Sequence, residues 1–104
     1  CRARVAGDSD MVYSSYEKLA TYFQEAGDHN TAIYFFQKCL DIAEAIEDLA
    51  QQGNSFQNLG LTYDSMCNTA KAIEYHEKHL QIARELKDED RLLKANHELV
   101  EAYK

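Results

Sequence analysis

Two histidines three positions apart, His76 and His79, come nearest to reactive chemistry in this chain. On a helix that spacing places two imidazoles on one face, where they could share a metal ion. A metal site needs three or four ligands and a supporting outer shell, and no third ligand is evident. Both positions also correspond to Phe36 and Cys39 in an earlier copy of the same pattern, so they read as core side chains. Partly buried histidines would still make local stability depend on pH.

The cysteines tell a similar story. Cys39 stands where a small core residue is expected and reads as a buried thiol, whereas Cys67, in a turn, is the more reactive candidate. Nucleophilic use needs an adjacent base, and no motif places His29 or His76 beside Cys67. Cys1, Cys39 and Cys67 make an odd count without metal-type spacing, which points to reduced thiols and a cytoplasmic setting. Carboxylates are abundant, but there is no Gly-rich phosphate loop or nucleophile motif. No enzyme activity, metal or cofactor is expected.

Charge narrows the partners. The formal net charge is −7, with nine acids against four bases up to Gln52 and nine against seven afterwards. Nucleic-acid binding needs a clustered basic face to release counterions, and none is present. The aromatic residues recur at packing spacings and lack the basic surround of a base-stacking platform. No run approaches the roughly 18 consecutive apolar residues of a membrane helix.

The elements that position these residues follow from an internal repeat. A single shift along the chain places Tyr16 on Phe56, Leu19 on Leu59, Ala20 on Gly60, Phe23 on Tyr63, Ala32 on Ala72 and Ile33 on Ile73. Seven of the seventeen positions from Ala32 to Asp48 are identical to their counterparts. A fixed period of this size, about 40 residues, is the signature of a solenoid. There are no prolines and only four glycines, so the units are helical.

The first helix of unit one is expected from about Ser9 to Glu25, with Val12, Tyr16, Leu19 and Phe23 on one apolar face. A turn over Ala26–Asn30 precedes a second helix from about Asn30 to Glu47. That helix carries Ile33, Phe36, Leu40 and Ala43 on one stripe and Phe35, Cys39, Ile42 and Ile46 on another, which implies two packing partners. Unit two repeats this with a turn near Met66–Thr69. Cys67 there replaces Gly27, and Asn68 is expected to take the left-handed backbone conformation. Asp8, Asp48 and Asp88 are read as junction markers at helix N-termini. The resulting division is 1–7, the tail of a preceding second helix; 8–47 and 48–87, two complete units; and 88–104, the first helix of an incomplete third with Leu92, Leu99 and Tyr103.

A helix pair with aromatic, Leu, small and aromatic residues in its first helix, then Ala, aromatic and small in its second, resembles the tetratricopeptide repeat. The residues that carry the resemblance are Tyr16, Leu19, Ala20, Phe23, Ala32, Phe36 and Cys39, and then Phe56, Leu59, Gly60, Tyr63, Ala72, His76 and His79. The period exceeds the usual one, and Glu44 and Arg84 replace the proline that often closes a repeat. Long helices and the wording AIEYHEKHLQIA are similar to the subclass of the Pins/LGN spindle-orientation adaptors and, more distantly, the kinesin light chains. The resemblance implies an all-α, right-handed solenoid of antiparallel helix pairs, acting as a non-catalytic protein-binding scaffold or adaptor, with association to the cytoskeleton implied by the subclass.

In that family the first helices line a concave groove. The resemblance places there Ser14, Glu17, Thr21 and Gln24; Asn54, Gln57, Asn58, Leu61 and Asp64; and Lys94, His97 and Glu101. Asn58 stands out, because an amide donates and accepts and so clamps an extended peptide backbone. Chaperone-binding members hold a terminal carboxylate with a basic clamp. Here those positions carry Glu17, Thr21, His97 and Glu101, which disfavours an acidic chaperone tail. A neutral or basic segment of another intracellular protein is the expected partner. The alternative is an architectural one: a spacer or assembly surface within a large cytoskeletal or ciliary complex.

Overall fold

The computed structural model describes the backbone of residues 2–103 and the side chains of residues 11–101. Five helices follow one another: α1 (Arg2–Glu25), α2 (His29–Ala45), α3 (Leu49–Ser65), α4 (Thr69–Leu86) and α5 (Glu89–Tyr103). Each packs on the next, giving a helix-pair solenoid 48 × 33 × 18 Å in extent. Among the described residues there is no strand, and no helix is long and apolar enough to cross a membrane.

All four links between helices use one device. The last turn closes with two reversed hydrogen bonds, Gly27 N–H to Gln24 O and Asp28 N–H to Phe23 O at 3.1 and 2.8 Å in the first link. The same pair recurs from Glu47 and Asp48, from Cys67 and Asn68, and from Lys87 and Asp88. This Schellman closure requires a left-handed residue, and Gly27, Glu47, Cys67 and Lys87 have φ of 90°, 57°, 63° and 56°. The following residue then caps the next helix. Asp28, Asp48, Asn68 and Asp88 each accept the backbone N–H three positions on, at 3.3, 3.1, 3.4 and 3.2 Å. One acidic or amide side chain every half period thus starts each of the last four helices. Cys67 itself adopts the left-handed conformation, and Asn68, with φ −94°, is the cap; the expectation that Asn68 takes the left-handed role is corrected.

Two further expectations are corrected at the N-terminus. Helix α1 is continuous through Asp8 from Arg2, with no turn at the expected junction and no start near Ser9. Its buried face also differs. Tyr13 and Ala20 are buried, while Val12 and Leu19 remain 42% and 43% exposed. Leu59, one period after Leu19, is fully buried because α2 lies against α3 and contributes Phe36 and Leu40 to the same cluster. Side chains of Asp8, Cys1 and Tyr103 lie outside the described residues.

The core alternates between aromatic sandwiches and close helix contacts. Tyr16 and Phe23 of α1 both stack on Phe35 of α2, at centroid distances of 5.8 and 5.9 Å. One period later Phe56 and Tyr63 of α3 flank Tyr75 of α4 at 6.2 and 5.6 Å. Each pair adds the attraction of offset or tilted rings to the burial of apolar area. Ala20, Ala32, Ala72 and Ala83 are fully buried at the helix crossings, where small side chains let backbones approach. Cys39 is 1% exposed and its thiol points to the Tyr13 carbonyl at 3.5 Å; burial pushes its pKa up to about 12, so it is an inert core thiol. Cys67 is exposed.

Candidate functional site

Two places collect polar side chains that packing alone does not explain. The first is an open depression of about 390 Å³ between α1 and α3, lined by Glu17, Lys18, Thr21, Tyr22, Glu25 and Asn58. It unites three expected groove residues, Glu17, Thr21 and Asn58, and adds Tyr22, an aromatic side chain left 66% exposed. Helical spacing explains the α1 contribution. Positions 17, 18, 21, 22 and 25 recur at three and four and so form one stripe, opposite the side of buried Ala20 and partly buried Phe23.

The other expected groove residues divide by what they touch. Ser14, Leu61, Lys94, His97 and Glu101 are exposed, and Gln24 is half-buried; none lines this depression. Asn54, Gln57 and Asp64 already have partners within the chain. The Asn54 side-chain oxygen accepts from Arg91 Nη1 at 2.9 Å, Gln57 Nε2 donates to Glu98 Oε2 at 2.9 Å, and Asp64 Oδ2 lies 2.9 Å from His76 Nε2. These three residues therefore tie α3 to α5 and α4.

The second place is the cluster that the last two contacts begin. His76 and His79 are 0% and 1% exposed, so both are core positions. His76 sits against Gly60 of α3, so closely that a Cβ there would lie 2.6 Å from ring atom Cε1. Glycine is required because the ring fills the space a side chain would occupy. His76 Nδ1 and His79 Nδ1 lie 3.4 and 3.5 Å from Glu98 Oε1, near enough for strong Coulomb attraction although not aligned as hydrogen bonds. Glu98 is itself only 14% exposed at its side chain. Burial disfavours a charged His76, but attraction to Glu98 and Asp64 outweighs it and raises the imidazole above its ordinary value. Burial likewise opposes ionised Glu98, yet His76, His79 and Gln57 together hold it far below the usual carboxylate range.

Sequence reasoning misses Glu98. A usable signal exists: two histidines at core positions need an acceptor, and Glu98 shares a face of α5 with buried Ala95 and Leu99. Among the described residues no group of histidine, cysteine or carboxylate side chains has the geometry to hold a metal ion.

The comparisons with known proteins agree with this architecture. Residues 11–99 match the family model described as tetratricopeptide repeat. The chain is 30% identical over 78 residues to tetratricopeptide repeat protein 29 of Trypanosoma brucei brucei, covering 70% of this chain and 16% of that relative. The chain thus spans about a sixth of the length of the curated relative it matches. The crystal structure of the TPR domain of Arabidopsis FLU superposes with a TM-score of 0.85 at 19% identity, covering 91% of this chain and 80% of that one. That likeness concerns the fold. With the repeat, the shared link geometry and the family match in agreement, the chain belongs to the tetratricopeptide repeat family.

Proposed function

We propose that this chain is a non-catalytic scaffold that holds a neutral or basic segment of another protein, extended or helical, along the stripe formed by α1, α3 and α5. Tetratricopeptide repeats generally mediate protein–protein interaction, which sets the class. The observation that carries the specific reading is the depression uniting Glu17, Thr21 and Asn58 with exposed Tyr22. An amide to clamp backbone, carboxylates of Glu17 and Glu25 to attract cations and an aromatic surface to stack on are together suited to such a segment. The same carboxylates oppose an acidic chaperone tail, and the chain's net charge opposes nucleic acid. A cytoplasmic adaptor of the Pins/LGN or kinesin light chain type, associated with the cytoskeleton, is the setting this proposal assumes.

Titration calorimetry of the chain with short basic, neutral and acidic peptides tests it. Basic or neutral peptides should bind and the Asn58→Ala, Glu17→Lys double variant should lose them. Acidic peptides outcompeting basic ones would overturn the reading.

Leu93 and Val100, two turns apart on α5 and 69% and 57% exposed, leave an apolar strip for a further element, either a following helix of the array or a neighbouring subunit, and a second reading takes the latter. There the chain is an architectural element whose α5 face meets a neighbouring subunit in a larger assembly. Crosslinking mass spectrometry separates the two, since groove binding places the contacts near Asn58 and assembly places them along α5.

A further inference from the structure

A single buried imidazole joins three helices. His76 of α4 has Asp64 of α3 at one ring nitrogen, 2.9 Å away, and Glu98 of α5 at the other, 3.4 Å away. A neutral histidine carries one N–H, so either neutral tautomer turns a nitrogen lone pair toward a carboxylate oxygen. Only the imidazolium presents a proton to both. The seat is rigid, because Gly60 backs the ring and Gln57 of α3 fixes the other Glu98 oxygen at 2.9 Å, leaving Oε1 directed at the two imidazoles. The titratable groups that face His76 are Asp64 from α3, Glu98 from α5 and His79 from α4. Among the described residues no lysine or arginine is within ion-pairing distance of Asp64 or Glu98, so His76 is the group placed to meet both carboxylates with a positive charge.

We propose that His76 is a proton-controlled clasp: as an imidazolium it binds α5 to the α3–α4 pair through Glu98 and Asp64, and on losing its proton to solvent it loosens α5. Its consequence for ligands rests on the groove reading, because α5 carries Lys94, His97 and Glu101 and the clasp holds Asp64 and Gln57. The clasp itself needs no ligand to be seen. The sign follows from the raised imidazole. The contribution is complete below the ordinary histidine value of 6.5 and is lost as pH rises through the higher folded value.

The test is a pH titration of the chain by NMR, reading His76 ring nitrogens and backbone amide protection together. Both ring nitrogens should carry protons at pH 6.5. As they lose one, protection factors in α5 should fall at least tenfold while those in α2 hold. Glu98→Gln, which keeps a partner for Gln57, should move the step down by about one pH unit or more. A His76 neutral at pH 6.5, or α5 protection that follows α2 through the titration, overturns the clasp. So does a Glu98→Gln step at unchanged pH. Absence of peptide binding at every pH would overturn the groove reading alone and leave these readouts standing.

Discussion

Units one and two share a backbone plan but differ where their helices meet the next unit. Unit one places Phe36 and Cys39 at the crossing, and one period later unit two places His76 and His79, all four nearly inaccessible. The facing position in the next first helix changes in step, from Asn58 to Glu98. Ala20 likewise gives way to Gly60, which accommodates an imidazole closer to the backbone. The first junction packs Phe36 and Leu40 of α2 against Leu59 of α3, with the Tyr13 hydroxyl donating to the Gln51 carbonyl beside it. The other adds the His76–Glu98 contact to the Gln57–Glu98 and Arg91–Asn54 hydrogen bonds, and the clasp proposed above makes that added part depend on the His76 proton. A repeat can thus keep the shape of a packing position while leaving its chemistry free.

That contrast can be broken directly. Phe36→His should cost about 3 kcal/mol in denaturant unfolding, since an imidazole replaces a buried ring with no carboxylate to meet it. Adding Asn58→Glu, which copies the position of Glu98, should recover about 1 kcal/mol or more. Purely additive costs would mean that the second junction owes nothing to its charges.

Glycine exchange gives the next largest effect. Gly60→Ala should destabilise by about 1–3 kcal/mol, because the His76 ring is held by Asp64 and Glu98 and cannot retreat. The reverse change in unit one, Ala20→Gly, should cost only about 1 kcal/mol through helix propensity and lost packing. Thermal unfolding followed by circular dichroism compares the two.

The pH profile of stability sharpens the comparison further. His76 contributes most below its ordinary value of 6.5 and less as pH rises through its raised value. Glu98 is depressed, so its contribution is present above the ordinary 4.5 and is lost as pH falls toward its folded value. Stability should therefore peak between about 4.5 and 6.5. In His76→Phe the alkaline fall should flatten. An unchanged profile in that variant would assign the pH dependence elsewhere.

The smallest effect lies in the turns. Cys67→Gly should stabilise by about 0.5–1 kcal/mol, relieving a left-handed side chain at φ 63°, as Gly27 does in unit one. Differential scanning calorimetry of this exposed position reads that gain with little effect on the core.

Much of the fold was legible because it is written at short range. The repeat period, the helix order and the capping residues at positions 48 and 88 all follow from spacings within one helix or one turn. Tyr16, Phe23, Phe56 and Tyr63 were legible as core for the same reason. Glu17, Thr21 and Asn58, expected on one groove, line one depression between α1 and α3.

What stayed hidden depends on which helix lies across from which. No local spacing shows that Leu19 is exposed while Leu59 is buried, since both occupy the same place in the repeat; Leu59 of α3 clusters with Phe36 and Leu40 of the helix before it, and no described helix precedes α1 to cover Leu19 in that way. Asn54, Gln57 and Asp64 read as partner-facing because their helix face was known but their tertiary partners were not. The repeat period and the residue types at its packing positions suffice to read a tetratricopeptide repeat with His76 and His79 in the core, because both signals lie within one helix pair. The carboxylate that meets those histidines comes from a helix beyond their own unit: packing brings Glu98 of α5 to within 3.4 Å of His76 of α4, where the low-dielectric surroundings favour the imidazolium, and no spacing within one helix announces that contact.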